Sequence, residues 1–178
     1  MSLHERSRHS FGALCSLEAL LRTDRIERAV LYEPPFSTPG LPVIQAEVLE
    51  RMERQLAQGD REAALETMLV HVGGADPSTL EIMQRAPAWA ARVEAVPTII
   101  REVREVDRYV FDPDRFAELT VPVRFLVGTE SPAYVLAATA AASAAVPHSE
   151  VVELPGQGHT AMDTAPRLFL DEVIRARA

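Results

Sequence analysis

The chain has 178 residues, 47% of them apolar, with a formal net charge of −8 and a sequence pI near 5.1. That length suits one folded domain with a real core, and the acidic balance argues against a nucleic-acid partner because it repels phosphate backbones. All 18 basic residues are arginine, which excludes lysine Schiff-base chemistry, and a single cysteine, Cys15, excludes an internal disulfide or a cysteine metal cluster.

The predicted elements run as follows. After Gly12, apolar residues at Ala13, Leu14, Leu17, Leu20 and Leu21 mark one face of a helix. Arg28 to Tyr32 reads as a short buried strand, stopped by Glu33-Pro34-Pro35. From Leu41 to about Leu119 the period is helical. One stripe (Ile44, Val48, Met52, Leu56) breaks at Gly59-Asp60, and a second (Ala64, Leu65, Met68, Leu69, Val72) stops at Gly73-Gly74. Asp76-Pro77 pairs a cap with a proline at the first helical position, and Pro87 and Pro97 divide the remainder. A strand returns at Val121 to Gly128, followed by an alanine-rich helix over Ala133 to Ala145, a strand over Glu150 to Leu154, and a last amphipathic helix holding Leu168, Phe169, Val173 and Ile174. No internal repeat or low-complexity linker is present. The charged N-terminus lacks a signal-peptide h-region, and the longest apolar run, Tyr134 to Val146, is too short to span a bilayer. A soluble, cytoplasmic protein with no membrane partner is expected.

Two short motifs stand at opposite ends of this pattern: His9-Ser10-Phe11-Gly12-Ala13, and Leu154-Pro155-Gly156-Gln157-Gly158-His159. Ser10 reads either as a helix N-cap or as a nucleophile raised on a strained strand-to-helix turn, where small residues on both sides relieve crowding. Gly12 and Ala13 suit the turn, whereas the long side chain of Arg8 is expected to collide with the helix start. His159 follows a strand among flexible glycines, and an imidazole that titrates near neutrality suits a general base. His4, His9, His71 and His148 lack comparable context and form no metal-ligand spacing, and Cys15 reads as a buried structural thiol.

The stretches His9 to Pro35, Val121 to Pro132 and Val151 to Met162, in that order and with helices between the first two, resemble the α/β-hydrolase family. The likeness is to serine hydrolases of esterase type with a helical lid, and it covers essentially everything from His9 onward. It implies an α/β fold class: a partial α/β-hydrolase fold whose short parallel sheet has about three strands, with flanking helices and an all-helical lid insert. Residues 9–40 and 120–178 would form the core, 41–119 the lid and 1–8 a tail. Leu3 is the one aliphatic residue between positions 3 and 9, so that stretch does not read as the apolar central strand the family places before its serine. The expectation is a truncated chain of low activity alone, its front strands encoded upstream.

The resemblance further implies Ser10 as nucleophile, His159 as proton shuttle and the Phe11 N–H as one oxyanion donor. The family's second donor comes from a loop after an early strand, which has no counterpart here. The orienting acid stays open. The common pattern places an aspartate three residues after the Gly128 position, where this chain has Ser131. Glu130, one position early, is the first choice, and Glu33, at the end of the preceding strand, is the rival. Thr98, Arg101, Glu102 and Trp89 are candidates for shaping a pocket. The implied activity is hydrolysis of a carboxylic ester, or of a related acyl or carbon–carbon bond, in a small apolar substrate, with no cofactor or metal. A serine at this position argues against the aspartate-dependent dehalogenases and epoxide hydrolases. Two further readings are a non-catalytic fragment, whose open sheet edge invites self-association, and a lid-bearing protein that binds small apolar ligands.

Overall fold

A computed structural model describes residues 5–175. Four parallel strands, β1 (Glu5–His9), β2 (Arg28–Tyr32), β3 (Val123–Gly128) and β4 (Ser149–Leu154), form one sheet in the order β1-β2-β3-β4. Because every pair is parallel, all four carboxyl ends lie along one edge of the sheet. Ligand sites of open α/β sheets gather at that edge.

The strand β1 corrects the expectation of a tail over residues 1–8. Glu5–His9 pairs with Arg28–Tyr32 in continuous register, from Glu5 opposite Arg28 to His9 opposite Tyr32, which brings the sheet to four strands, close to the number expected. A continuous apolar pattern is required only of a strand buried on both faces. Among the described residues β1 lies instead at one end of the sheet, where Arg8 is exposed and backbone pairing does not require apolar side chains. The expected collision of Arg8 is also absent: a Cβ added to Gly12 would meet Arg8 carbons at 3.7 and 3.8 Å, ordinary van der Waals contact. Residues 1–4 lie outside the described part.

Strand β2 shows how the sheet is covered on both faces. Ala29 and Leu31 point into the larger core, with Phe125 of β3, whereas Val30 and Tyr32 point into a smaller cluster with Leu126, Leu154, Ala161 and Val173. Helix α1 (Phe11–Leu20) buries Ala13, Leu14, Leu17 and Leu20 on the larger side, at the helical spacing its sequence predicts, but Cys15 points outward and is exposed.

Five α-helices and a short 3-10 turn (Pro113–Phe116) separate β2 from β3, the α-helices being α2 (Ala46–Ala57), α3 (Arg61–His71), α4 (Pro77–Arg85), α5 (Trp89–Glu94) and α6 (Val96–Arg108). The predicted boundaries have visible causes. Asp60 accepts the Ala63 N–H at 3.0 Å and Asp76 accepts the Thr79 N–H at 2.7 Å, each satisfying an orphan donor of a helix start. Pro97 falls in the first turn of α6, where a missing N–H costs nothing. Met52, Leu65, Leu69, Ile100, Val103 and Val106 of this insert join the same core as Leu31 and Phe125. Helix α7 (Ala133–Ala145) follows β3, and the short α8 (Ala161–Thr164) and α9 (Pro166–Arg175) close the chain on the smaller cluster.

Candidate active site

Ser10 is the residue that joins β1 to α1, and its backbone has φ 52° and ψ −127°. A non-glycine residue in this region costs on the order of 1–3 kcal/mol and persists only where its surroundings hold it. Here the Ser10 N–H donates to the Tyr32 carbonyl at 2.9 Å, while its own carbonyl accepts the N–H groups of Ala13 (2.8 Å) and Leu14 (3.1 Å). The hydroxyl does not cap the helix. Instead Ser10 Oγ lies 3.0 Å from Nε2 of His159, so the N-cap reading of the sequence does not describe this side chain.

The other imidazole nitrogen meets a carboxylate. His159 Nδ1 lies 2.5 Å from Oε2 of Glu33, which is wholly buried directly after β2 and also has a positive φ of 53°. The second oxygen of Glu33, Oε1, accepts the Gly128 N–H at 2.7 Å and the Ser131 hydroxyl at 2.6 Å. A buried charge needs this many donors to be tolerated. Glu130, the first-choice acid, is not part of the cluster: it is exposed, and its backbone N–H donates to Gln157 O at 2.9 Å. The exchange is legible once the loops are seen together. Ser131 occupies the position where the common pattern carries the acid, and its hydroxyl now supports a carboxylate supplied from the neighbouring strand.

A second layer fixes the loop that carries His159, and sequence reasoning missed most of it. The Tyr32 hydroxyl donates to the Gly158 carbonyl and accepts the Ala161 N–H at 3.3 Å. His9 Nε2–H donates to the His159 carbonyl at 2.8 Å, and the two imidazole rings lie 4.5 Å apart. Burial, the neighbouring His159 and, more weakly, Arg92 push the His9 pKa down to about 3 against the opposing pull of its hydrogen bond. His9 is therefore neutral near pH 7 and works as a donor, not as a base. Its position directly before the serine was the available signal. Among the described residues, no group of three His, Cys, Asp or Glu side chains could hold a metal ion.

A cavity of ≈ 80 Å³ opens beside Ser10 and His159, walled mainly by apolar side chains of α6 and the loop after β2. Of the four pocket candidates, Glu102 lines it. Arg101 is exposed and donates to Thr98 Oγ1, and the Trp89 indole donates to Glu62. The Phe11 N–H, at the first turn of α1, is one of the donors a helix start leaves without an intrahelical acceptor, and Phe11 also borders the cavity.

Residues 9–172 match the model of the alpha/beta hydrolase family. The chain belongs to this family. Among solved structures, this alpha/beta hydrolase is similar to an alpha/beta hydrolase from Sphaerobacter thermophilus DSM 20745, at 26% identity and a TM-score of 0.71, with 94% of this chain and 66% of that one covered. It also resembles a hydrolase from Pseudomonas aeruginosa PA01 (18% identity, TM-score 0.73, 99% and 66% covered). A third is 2-hydroxy-6-oxo-6-phenylhexa-2,4-dienoate hydrolase from Rhodococcus sp. strain RHA1 (17% identity, TM-score 0.66, 97% and 63% covered). The last two likenesses speak to the fold alone. The chain thus spans just under two thirds of the length of these structures. No curated protein matches it. No helix among the described residues of this alpha/beta hydrolase is long and apolar enough to cross a membrane.

Proposed function

We propose that this hydrolase cleaves a carboxylic ester, or a related acyl bond, of a small and largely apolar molecule through Ser10, His159 and Glu33. The observation that carries the reading is the continuous relay from Ser10 Oγ to His159 Nε2 at 3.0 Å and from His159 Nδ1 to Glu33 Oε2 at 2.5 Å. In the first half-reaction Ser10 Oγ attacks the acyl carbon while its proton passes to Nε2. Glu33 holds the Nδ1–H, which fixes the tautomer and steadies the imidazolium. The Phe11 N–H faces the developing oxyanion, and His159 then gives its proton to the leaving alcohol. In the second half-reaction His159 takes a proton from water, which attacks the acyl-serine, and returns it to Ser10. The helical insert serves as the lid, contributing Met68, Val72, Ile99, Val103 and Val106 to an apolar wall that receives the substrate.

A fluorophosphonate reagent tests the reading, because it reports an activated serine whatever the natural substrate. Slow covalent labelling, in keeping with low activity of this chain alone, is expected on Ser10, mapped by peptide mass spectrometry, and should vanish in Ser10→Ala and fall further in His159→Ala. Labelling spread over other serines, or its persistence in Ser10→Ala, would overturn the assignment.

A further inference from the structure

The wall opposite the nucleophile carries one charge that the chemistry above does not use. Ile99, Glu102, Val103 and Val106 all line the cavity, and their spacing places them on one face of α6. Glu102 therefore stands in the middle of an apolar stripe and is half-buried there. The other lining residues are aliphatic or aromatic, or have their polar groups committed: the Tyr134 hydroxyl donates to the Val72 carbonyl at 3.1 Å, and His159 is engaged with Ser10 and Glu33. Burial holds the Glu102 carboxyl above its usual range, with the adjacent Arg101 opposing weakly. Arg101 itself is exposed and donates to Thr98 rather than to Glu102.

A carboxylate kept in an apolar stripe, with no ion pair among the described residues and beside a nucleophile and two aromatic side chains (Phe11 and Tyr134), is a chemical match for an ammonium group. The cation would answer the carboxylate, and its alkyl substituents would face aromatic and aliphatic surface. We infer that Glu102 is a specificity residue of this site, selecting substrates that place a positively charged ammonium group in the cavity. This inference rests on the hydrolase reading for what happens next at Ser10, although the recognition step does not need turnover.

Two matched pairs test it. Choline and 3,3-dimethylbutan-1-ol differ by one charge at nearly constant shape, as do acetylthiocholine and S-(3,3-dimethylbutyl) thioacetate. Titration followed by ligand-observed NMR should show choline binding about tenfold more tightly than the neutral alcohol. The thioesters should show a similar ratio of kcat/KM. Glu102→Gln, which keeps the shape and removes the charge, should bring both ratios close to one. Equal binding of the two alcohols, binding of neither, or a preference that survives Glu102→Gln would overturn the inference, and the wild-type comparison stands whether or not the variant folds. Fluorophosphonate labelling of Ser10 in the same preparation separates the two ideas. A labelled serine without ammonium preference removes only the role of Glu102, whereas ammonium preference with an unreactive Ser10 removes the hydrolase reading and leaves the recognition intact.

Discussion

At the scale of single residues, His9 lies outside the proposed relay but holds the loop that carries His159. Its neutral ring donates to the carbonyl of His159 and packs against both His159 and Tyr32. Its pKa in the folded protein, about 3, is lower than the ordinary value of 6.5. As pH falls below 6.5 the unfolded chain takes up a proton that the folded chain refuses until about pH 3. The His9 contribution to stability is thus complete above pH 6.5 and drains away as pH falls through that window. His9→Gln keeps a donor for the carbonyl but removes the titration, so its melting temperature should fall less steeply between pH 6.5 and 4 than that of the wild type; parallel profiles would contradict this. Beyond its place directly before Ser10, nothing in the sequence signals what His9 does, because its partner is a backbone carbonyl at the far end of the chain. The structure brings Ser10 and His159 together, as their motifs suggested: Gly12 and Ala13 follow the serine, and Gly156 and Gly158 precede the histidine.

At the scale of elements, the site depends on how closely three strand ends approach one another. Gly128 ends β3 against the loop after β4, and a Cβ added there would lie 2.2 Å from Gln157 O and 2.8 Å from Ser131 Oγ. That crowding would disturb the Glu33 support on one side and the His159 loop on the other. Gly128→Ala should cost about 1–3 kcal/mol of stability, the range for overpacking, and should slow labelling of Ser10. Gly158→Ala is the control, because its added Cβ would meet Glu130 O at an ordinary 3.7 Å. Similar melting temperatures and labelling rates in the two variants would refute the close-approach argument. The helix boundaries were readable from caps and prolines, since those signals are local. Strand β1 was not, because its evidence is a backbone ladder to β2 while its side chains give no apolar pattern. The choice between the two glutamates was not legible for a related reason: loop spacing pointed near Ser131, but the contact that favours Glu33 runs from the Ser131 hydroxyl across to another strand.

At the scale of the whole molecule, the insert and the sheet form one structure over the site. Helices α2 to α6 share their core with β2, β3, α1 and α7, so the wall facing Ser10 is held by the same packing that holds the sheet. An ion pair reinforces this union: Arg92 of α5 donates to both carboxylate oxygens of Asp163 on α8, at 3.0 and 2.9 Å, just beyond the His159 loop. The relay itself draws one member from each of three strand ends, which only the assembled parallel sheet brings together. Which carboxylate completes it decides the chemistry. The most direct measurement is the rate of fluorophosphonate labelling of Ser10 in Glu33→Gln and Glu130→Gln, compared with the wild type. A glutamine at position 33 presents an amide that cannot hold the required imidazole tautomer, and the rate should fall on the order of a hundredfold or more. Glu130→Gln should stay within about twofold, as expected of an exposed side chain outside the relay. A large loss in Glu130→Gln, or equal small losses in both, would contradict the assignment of Glu33.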